Sequence, residues 1–295
     1  MRVFVTGATG FVGSAVVQEL LDHGHSVLGL TRSDAGAEKL AALGATAFHG
    51  DLEDVGKLQS GAASCDAVIH TAFDHDFSRY VENCEKDRRV IRAMGAVLAG
   101  SDRPMIVTSG IALLRADRPL VESDTVSGDI PRKASDEAAA EIAADGVNVS
   151  VMRLPPSVHG AGDHGFVPLL INLAREKGFA ACIEDGENLW PAVHRFDAAR
   201  AYRLAIEDNA SQTAYHAVAE EGVAFADIAH AISVGLDVPF KSMTLEQAED
   251  YFGWFSHFAA IDCCASSGRT QQALGWVPRE IGLIEDMQNA GYFDE

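Results

Sequence analysis

Apolar and polar residues alternate along the first half of the chain with two different periods. Short runs rich in β-branched and apolar residues, at Val3–Thr6, Ser26–Leu30, Thr46–Phe48, Ala67–His70, Met105–Thr108 and Asn148–Arg153, read as strands. Between them, helical spacing appears near Phe11–His23, Asp34–Leu43, Tyr80–Ala99 and Ser135–Ala144, the second with Asp34 as its expected N-cap and Gly44 as its stop. Strands that alternate with crossover helices predict an α/β fold, a doubly wound parallel sheet of six strands. After Arg153 the alternation loosens around Pro155, Pro156, Gly160, Gly162 and Gly165, which marks a smaller C-terminal lobe. The expected division is residues 1–153 for the sheet domain and 154–295 for the second lobe, with some later segments free to return to the sheet.

Composition narrows what such a fold does. With 295 residues, 47% of them hydrophobic and 22% charged, the chain can bury a full core. Its 43 acidic against 23 basic residues give a formal charge of −20, a field that repels nucleic acid and anionic membrane surfaces. Neither is expected as a partner. Five cysteines (Cys65, Cys84, Cys182, Cys263, Cys264) form no CxxC pair and fit a reducing cytoplasm better than a disulfide framework. No segment resembles a signal peptide or a membrane span, so the expected location is cytoplasmic.

The segment VFVTGATGFVGSAVVQEL runs from a strand through Gly7, Gly10 and Gly13 into an amphipathic helix. Such a strand, glycine turn and helix let the chain reverse tightly, let a pyrophosphate touch bare backbone, and pack helix on strand. The second strand is followed by Arg32 and Ser33 where an acidic residue would select NAD. Arginine beside a hydroxyl suits the 2′-phosphate of NADP, although a solvated arginine is the bland alternative. After the third strand, Asp51 and Leu52 stand where a carboxylate either accepts from an adenine amino group or caps the next helix.

These residues resemble the extended or atypical short-chain dehydrogenase/reductase superfamily, which includes nucleotide-sugar epimerases, dehydratases and carbonyl reductases. TGATGFVG is similar to its cofactor loop, GDLED to its adenine segment, HTAF to its strand-four turn and VTSG to its strand-five end. SSGRTQQALGWVP and WPAVHRFDAARAY resemble late segments of the substrate lobe, so the resemblance covers nearly the whole chain. It implies a Rossmann sheet whose cofactor is lined by Gly7, Thr9, Gly10, Phe11, Val12, Gly13, Arg32, Ser33, Asp51, Leu52, Thr71, Ala72, Phe73, Thr108, Lys133, Leu154, Pro155 and Ser157. Members often dimerise through two helices flanking the sheet, which leaves a homodimer possible.

The active site departs from that family. Members usually carry a Tyr four residues before a Lys, because the ammonium lowers the phenol pKa and readies it as a proton donor. None of the six lysines here has a tyrosine four residues earlier. Counting back from Arg153, the lysine slot falls near Arg132 or Lys133 and the tyrosine slot at Gly128 or Asp129. Lys133 is then the expected ribose contact, with a solvated lysine as the alternative. Ser109 lies near the family's substrate-binding serine, Gly110 competing for that register, and Asp87 replaces its relay asparagine.

The remaining acid candidates are histidines, whose ordinary pKa lies near neutrality. His159, Asp163 and His164 follow strand six, and His194 lies beside Trp190 in the second lobe. His164 is ranked first as proton donor, with His159, Trp190 and His194 expected toward the substrate and a backbone-bonded loop histidine as the alternative for each. Asp74, His75 and Asp76 are too close in sequence to converge on a metal, and Trp254, Phe255 and Phe258 read as packing. Three functions remain: an NADP(H)-dependent oxidoreductase of a small carbonyl or alcohol, a sugar-nucleotide epimerase or dehydratase, and a non-catalytic NADP(H) sensor.

Overall fold

The computed structural model describes residues 1–294. The first half runs β1 (Arg2–Thr6), α1 (Phe11–Asp22), β2 (Ser26–Thr31), α2 (Asp34–Leu43), β3 (Thr46–His49), α3 (Val55–Ala63), β4 (Ala67–His70), α4 (Tyr80–Ala96), β5 (Met105–Gly110), α5 (Ala134–Ala144) and β6 (Val149–Leu154). The second half runs β7 (Ser157–His159), α6 (Phe166–Lys177), β8 (Ala180–Ile183), β9 (Leu189–His194), α7 (Arg195–Glu207), β10 (Ala214–His216), β11 (Glu220–Ala224), α8 (Phe225–Leu236), β12 (Phe240–Met243), α9 (Leu245–Phe252), α10 (Ser256–Ala259), α11 (Gly268–Leu274) and α12 (Leu283–Asn289).

The main sheet has seven strands, not six, in the order β10-β6-β5-β4-β1-β2-β3, and all its pairings are parallel. Parallel strands with helices on both faces are buried on both sides, and Val3, Phe4 and Val5 accordingly have no exposed surface. Alternation decides which core each residue enters. Val3 and Val5 face α1 and α7, through Val16, Leu20, Ala198 and Tyr202, while Phe4 faces Leu58, Ile91 and Met94 of α3 and α4. The unforeseen strand, β10, pairs with β6 from far along the chain. Its three residues are too few to give a periodic signal.

Helix α3 is likewise absent from the expected elements. Its sequence, VGKLQSGAA, has one large buried apolar side chain, Leu58, and so no visible stripe. Helix α2 has the expected bounds and Gly44 stop, but its cap is Ser33, whose Oγ accepts from Gly36 N at 3.1 Å. Asp34 lies inside the first turn instead.

Between β6 and β10, and again after β10, the chain builds the second lobe. A three-stranded sheet β11-β9-β7 and the pair β12-β8 enclose an apolar core of Trp190, Phe225, Phe255, Leu170 and Ile232. No helix among the described residues is long and apolar enough to cross a membrane.

The two late sequence segments meet at Asp197, fully buried at the start of α7. Its carboxylate accepts from Arg279 N at 3.0 Å and Glu280 N at 2.9 Å and pairs with Arg200, while its carbonyl accepts from the indole of the buried Trp276 at 3.0 Å. Asp197→Ala removes the acceptor of the Arg279 and Glu280 N–H groups, each a hydrogen bond to a charged group worth about 1.5–3 kcal/mol. The expected loss is about 3 kcal/mol in urea unfolding, against less than about 0.5 kcal/mol for surface changes such as Glu38→Ala.

Candidate active site

The β1–α1 turn is built by contact. Gly7 has φ of 67°, and a Cβ there would lie 2.8 Å from Ala72 N; one at Gly13 would lie 2.0 Å from the Gly7 carbonyl oxygen. Both glycines are therefore required by the fold. Gly10 is different, because its backbone is ordinary extended chain and its nearest neighbour for a Cβ is Gly7 O at 3.2 Å. No side chain caps α1, so its first N–H groups face the exposed surface at Gly10. An uncapped helix start behind a bare glycine fits a pyrophosphate, whose charge the helix dipole favours. Thr9, Phe11 and Val12 surround it, with Thr71, Ala72 and Phe73 across the turn.

At the end of β2, Arg32 is exposed and makes no ion pair or hydrogen bond among the described residues, while Ser33 stands at the uncrowded start of α2. Beyond β3, Asp51 accepts from Glu53 N at 2.8 Å, and the cap of α3 is Asp54 rather than Asp51. Leu52 packs beside it at the sheet edge. These positions share the carboxyl ends of the neighbouring strands β1, β2 and β3, on the side where the strand order reverses between β1 and β4.

A chain of buried polar groups runs beneath the neighbouring strand ends. His70, 1% exposed at the end of β4, takes Thr6 Oγ1 on Nδ1 at 2.6 Å and Asp87 Oδ1 on Nε2 at 2.8 Å. Asp87 in turn accepts from Ser135 Oγ and from Arg132 Nη1, the latter at 2.8 Å. Burial alone would raise the Asp87 pKa, but the Arg132 charge and the bonds from His70 and Ser135 hold it well below the usual carboxylate range. Arg132 also donates to the Thr108 carbonyl at 3.3 Å and lies over the Phe73 ring, 4.0 Å from its centre.

Lys133 does not join this cluster. Its ammonium turns outward to Gly128 O at 3.3 Å and to Asp129 and Glu137, because the side chains that face the strand ends from this segment are Arg132 and Asp136. Asp136 accepts from Ser109 Oγ and pairs with Arg153 at 3.2 Å. Ser109 thus directs its proton into the protein and offers lone pairs outward. Of the two positions in the expected lysine register, Arg132 faces the strand ends, and the outward reach of Lys133 follows from lying one position past that inward face. Thr108 is likewise engaged, its hydroxyl between His70 O and Tyr202 OH.

The histidines divide into two groups. His159 bonds Asp286 at 2.9 Å and His194 accepts from Phe196 N at 3.3 Å, both inside the seam between the lobes, with their rings 5.3 Å apart. Trp190, 1% exposed, packs against Phe166, Phe225 and Phe255, so it belongs to the apolar core and not to an open pocket. His164 is exposed, edge-on to Phe11 at 5.8 Å, and therefore lies against the cofactor turn. Of the segments just after β6, Leu154 is half-buried, Pro155 is buried, and the buried Ser157 hydroxyl has no partner.

His75 reads in the sequence as part of a polar loop, and the structure gives it closer company. Desolvation, then the charges of Arg132 and His164, lower its pKa, so the three share one neighbourhood. From there an aromatic rim continues from His75 to Phe77 and on to Trp254, which stacks on Phe77 at 5.0 Å and joins the two lobes. Among the described residues no three His, Cys, Asp or Glu side chains converge to hold a metal. The tyrosines are poor acids: burial pushes Tyr80 and Tyr251 up to about 12, and Tyr202, fully buried, higher still.

The turn geometry separates two variants. Gly13→Ala should unfold the protein, because the Gly7 carbonyl occupies the methyl's position. Gly10→Val should keep native circular dichroism while abolishing dinucleotide binding by titration. Retained binding in that folded variant would leave the turn with a structural role only.

Residues 7–164, more than half of the chain, match the NAD(P)H-binding family. Over 295 residues the chain is 49% identical to an uncharacterized protein of Schizosaccharomyces pombe, covering 99% of this chain and 100% of that one. It is 31% identical over 226 residues to 4-hydroxy-2-methyl-3-oxo-4-farnesyl-3,4-dihydroquinoline-1-oxide ketoreductase of Stigmatella aurantiaca, covering 70% of this chain and 65% of that one. Among solved structures, the UDP-glucose 4-epimerase of Thermus thermophilus in complex with NAD has a TM-score of 0.76 at 18% identity, with 99% of each chain covered. With the glycine turn, the sheet order and the two late segments, these matches establish that the chain belongs to the NAD(P)-binding, extended short-chain dehydrogenase/reductase family.

Proposed function

We propose that the protein is an NADP(H)-dependent oxidoreductase that reduces a small carbonyl compound to its alcohol, or runs the reverse. One observation carries this reading: a bare, uncapped dinucleotide turn with an unpaired Arg32 beside it leads along the same strand ends to Arg132, whose guanidinium keeps donors to spare. When bound, the nicotinamide supplies or accepts the hydride. The protein's own residues then hold the carbonyl and neutralise the charge that grows on its oxygen.

Arg132 is suited to the second task. Asp87, Ser135 and the Thr108 carbonyl use part of its five N–H donors, and the remainder are free to bind an oxygen. A guanidinium does not give up its proton near neutrality, so it stabilises the alkoxide and the proton comes from elsewhere. His164 and His75 stand in that neighbourhood, and His75, whose pKa is lowered, relays a proton: one ring nitrogen takes a proton from water as the other gives one to the alkoxide, so the ring ends neutral. Ser109 accepts a hydrogen bond from a substrate hydroxyl, consistent with the alcohol form.

The epimerase or dehydratase reading is disfavoured by the tyrosines, none of which lies at Gly128 or Asp129 or has a lowered pKa. The ketoreductase name of one relative agrees with carbonyl chemistry. A sensor that binds NADP(H) without turnover differs in one measurement: loss of NADPH absorbance with a panel of ketones, aldehydes and enones. Turnover supports the enzyme, and tight binding with no turnover overturns it.

NADPH is expected to bind more tightly than NADH by roughly tenfold to a hundredfold, the worth of a charge-assisted phosphate contact, and Arg32→Ala should remove most of that preference. Equal affinities in the parent protein would remove the NADP assignment.

Arg132→Lys keeps a cation near Asp87 but loses the planar fork. It should lower kcat about 10²-fold, as for loss of an oxyanion donor, with NADPH affinity nearly unchanged. Replacing Tyr80, Tyr202, Tyr215, Tyr251 or Tyr292 by Phe should leave turnover within about tenfold, since a lost general acid costs ~10²–10⁴. A single Tyr→Phe change that stops turnover while NADPH still binds would transfer the acid role to that tyrosine.

A further inference from the structure

In a chain with 43 acidic and 23 basic residues, arginines find carboxylates easily. Arg88, Arg118, Arg132, Arg153, Arg200 and Arg203 all do so. Arg195 does not. Among the described residues it makes no ion pair and no hydrogen bond, and its Nε is buried without a partner. Its guanidinium lies over two rings, 5.1 Å from the centre of Phe11 and 4.8 Å from that of Phe196. Phe11 is the first residue of α1, directly after Gly10, so this cation is held against the uncapped helix start.

The fold makes room for it there. Gly160, with φ of 134°, replaces a side chain by open space: a Cβ would lie 3.2 Å from Arg195 Cγ and 3.0 Å from His194 Nε2. The aromatic contacts use the guanidinium's faces and leave its N–H edge for an acceptor. A partly buried cation without a counter-ion is costly, and its cost disappears when an anion arrives. The groups in contact with it, Phe11, Phe196 and His194, supply no negative charge, and Asp286, Glu280 and Asp197, whose charges reach His194, form no ion pair with Arg195.

We propose that Arg195 is a phosphate-binding residue that reaches from the start of α7 to the cofactor's pyrophosphate, completing a site whose other half is the α1 N-terminus. The inference rests on the NADP(H) reading above and adds to it a contact from α7, far along the chain from the glycine turn. The same chemistry is offered by an anionic group on the substrate, and the experiment separates the two sources.

NADPH is titrated into the parent, Arg195→Gln and Arg195→Lys proteins by fluorescence, alongside 2′-AMP, which carries the 2′-phosphate but no pyrophosphate, and inorganic pyrophosphate in a thermal shift assay. Arg195→Gln should weaken NADPH by roughly tenfold to a hundredfold, leave 2′-AMP unchanged and abolish heat protection by pyrophosphate, with Arg195→Lys in between. Unchanged NADPH affinity in the folded Gln variant overturns the proposal, as does an equal loss for 2′-AMP. A variant that loses only affinity for the carbonyl substrate overturns it in favour of a substrate anion. A parent protein that binds neither NADPH nor NADH overturns the underlying reading too, and does so before any variant is made.

Discussion

The structure around the strand ends depends on one buried carboxylate. Asp87, 2% exposed, sits in α4 and is reached from β4 by His70, from α5 by Ser135 and from the turn before α5 by Arg132. A lone carboxylate there would be neutral or the fold would open, because an ion without water or partners is far too costly. Meeting that demand fixes three elements against each other and fixes the Arg132 side chain with them. The position of the group proposed to face substrate is therefore a by-product of solving a burial problem. Thr6 extends the same network to the residue before Gly7, so the floor of the substrate end and the root of the cofactor turn share a side-chain chain through His70.

This sharing gives the site an arrangement unlike one built on a phenol and an ammonium. A Tyr and Lys pair works by lowering a phenol's pKa, whereas the side chains that face the strand ends from the turn before α5 and from α5 are a cation and an anion, Arg132 and Asp136, each already engaged with β5. Charge is balanced locally: Arg132 against Asp87, Arg153 against Asp136. Such neutralisation fits the proposed uncharged carbonyl better than a polyanionic substrate, and the aromatic rim of Phe77 and Trp254 is apolar in the same sense.

Much of the sheet domain was legible because parallel strands and amphipathic helices leave strong periodic patterns, and the glycine turn because steric demands act on single positions. The β10 strand and α3 were not, since three residues or one large apolar side chain leave no period to read. The site was legible only as far as local sequence defines it. Arg32 and the turn residues belong to contiguous motifs, whereas His70, Asp136 and Arg195 matter through partners distant in sequence, which spacing along a chain does not encode. Lys133 turns away from Arg132 for a related reason: a one-position shift on a helical turn sends a side chain to a different side. His75 has the look of ordinary loop polarity until Arg132 and His164 are seen beside it.

The place of β10 in the sheet bears on how the protein is made. Strand β6 is an edge until Ala214–His216 arrive beside it, and the whole of α6, β8, β9 and α7 must be synthesised in between. A nascent chain that has emerged only through residue 154 therefore carries an unpaired parallel edge and the bare apolar face of β1, β4 and β5 that α7 later covers. The second lobe is an insertion that delays closure of the first. Ribosomal pausing or truncation within residues 155–213 would expose sticky surface, and a chaperone that shields it would be needed longest over that stretch.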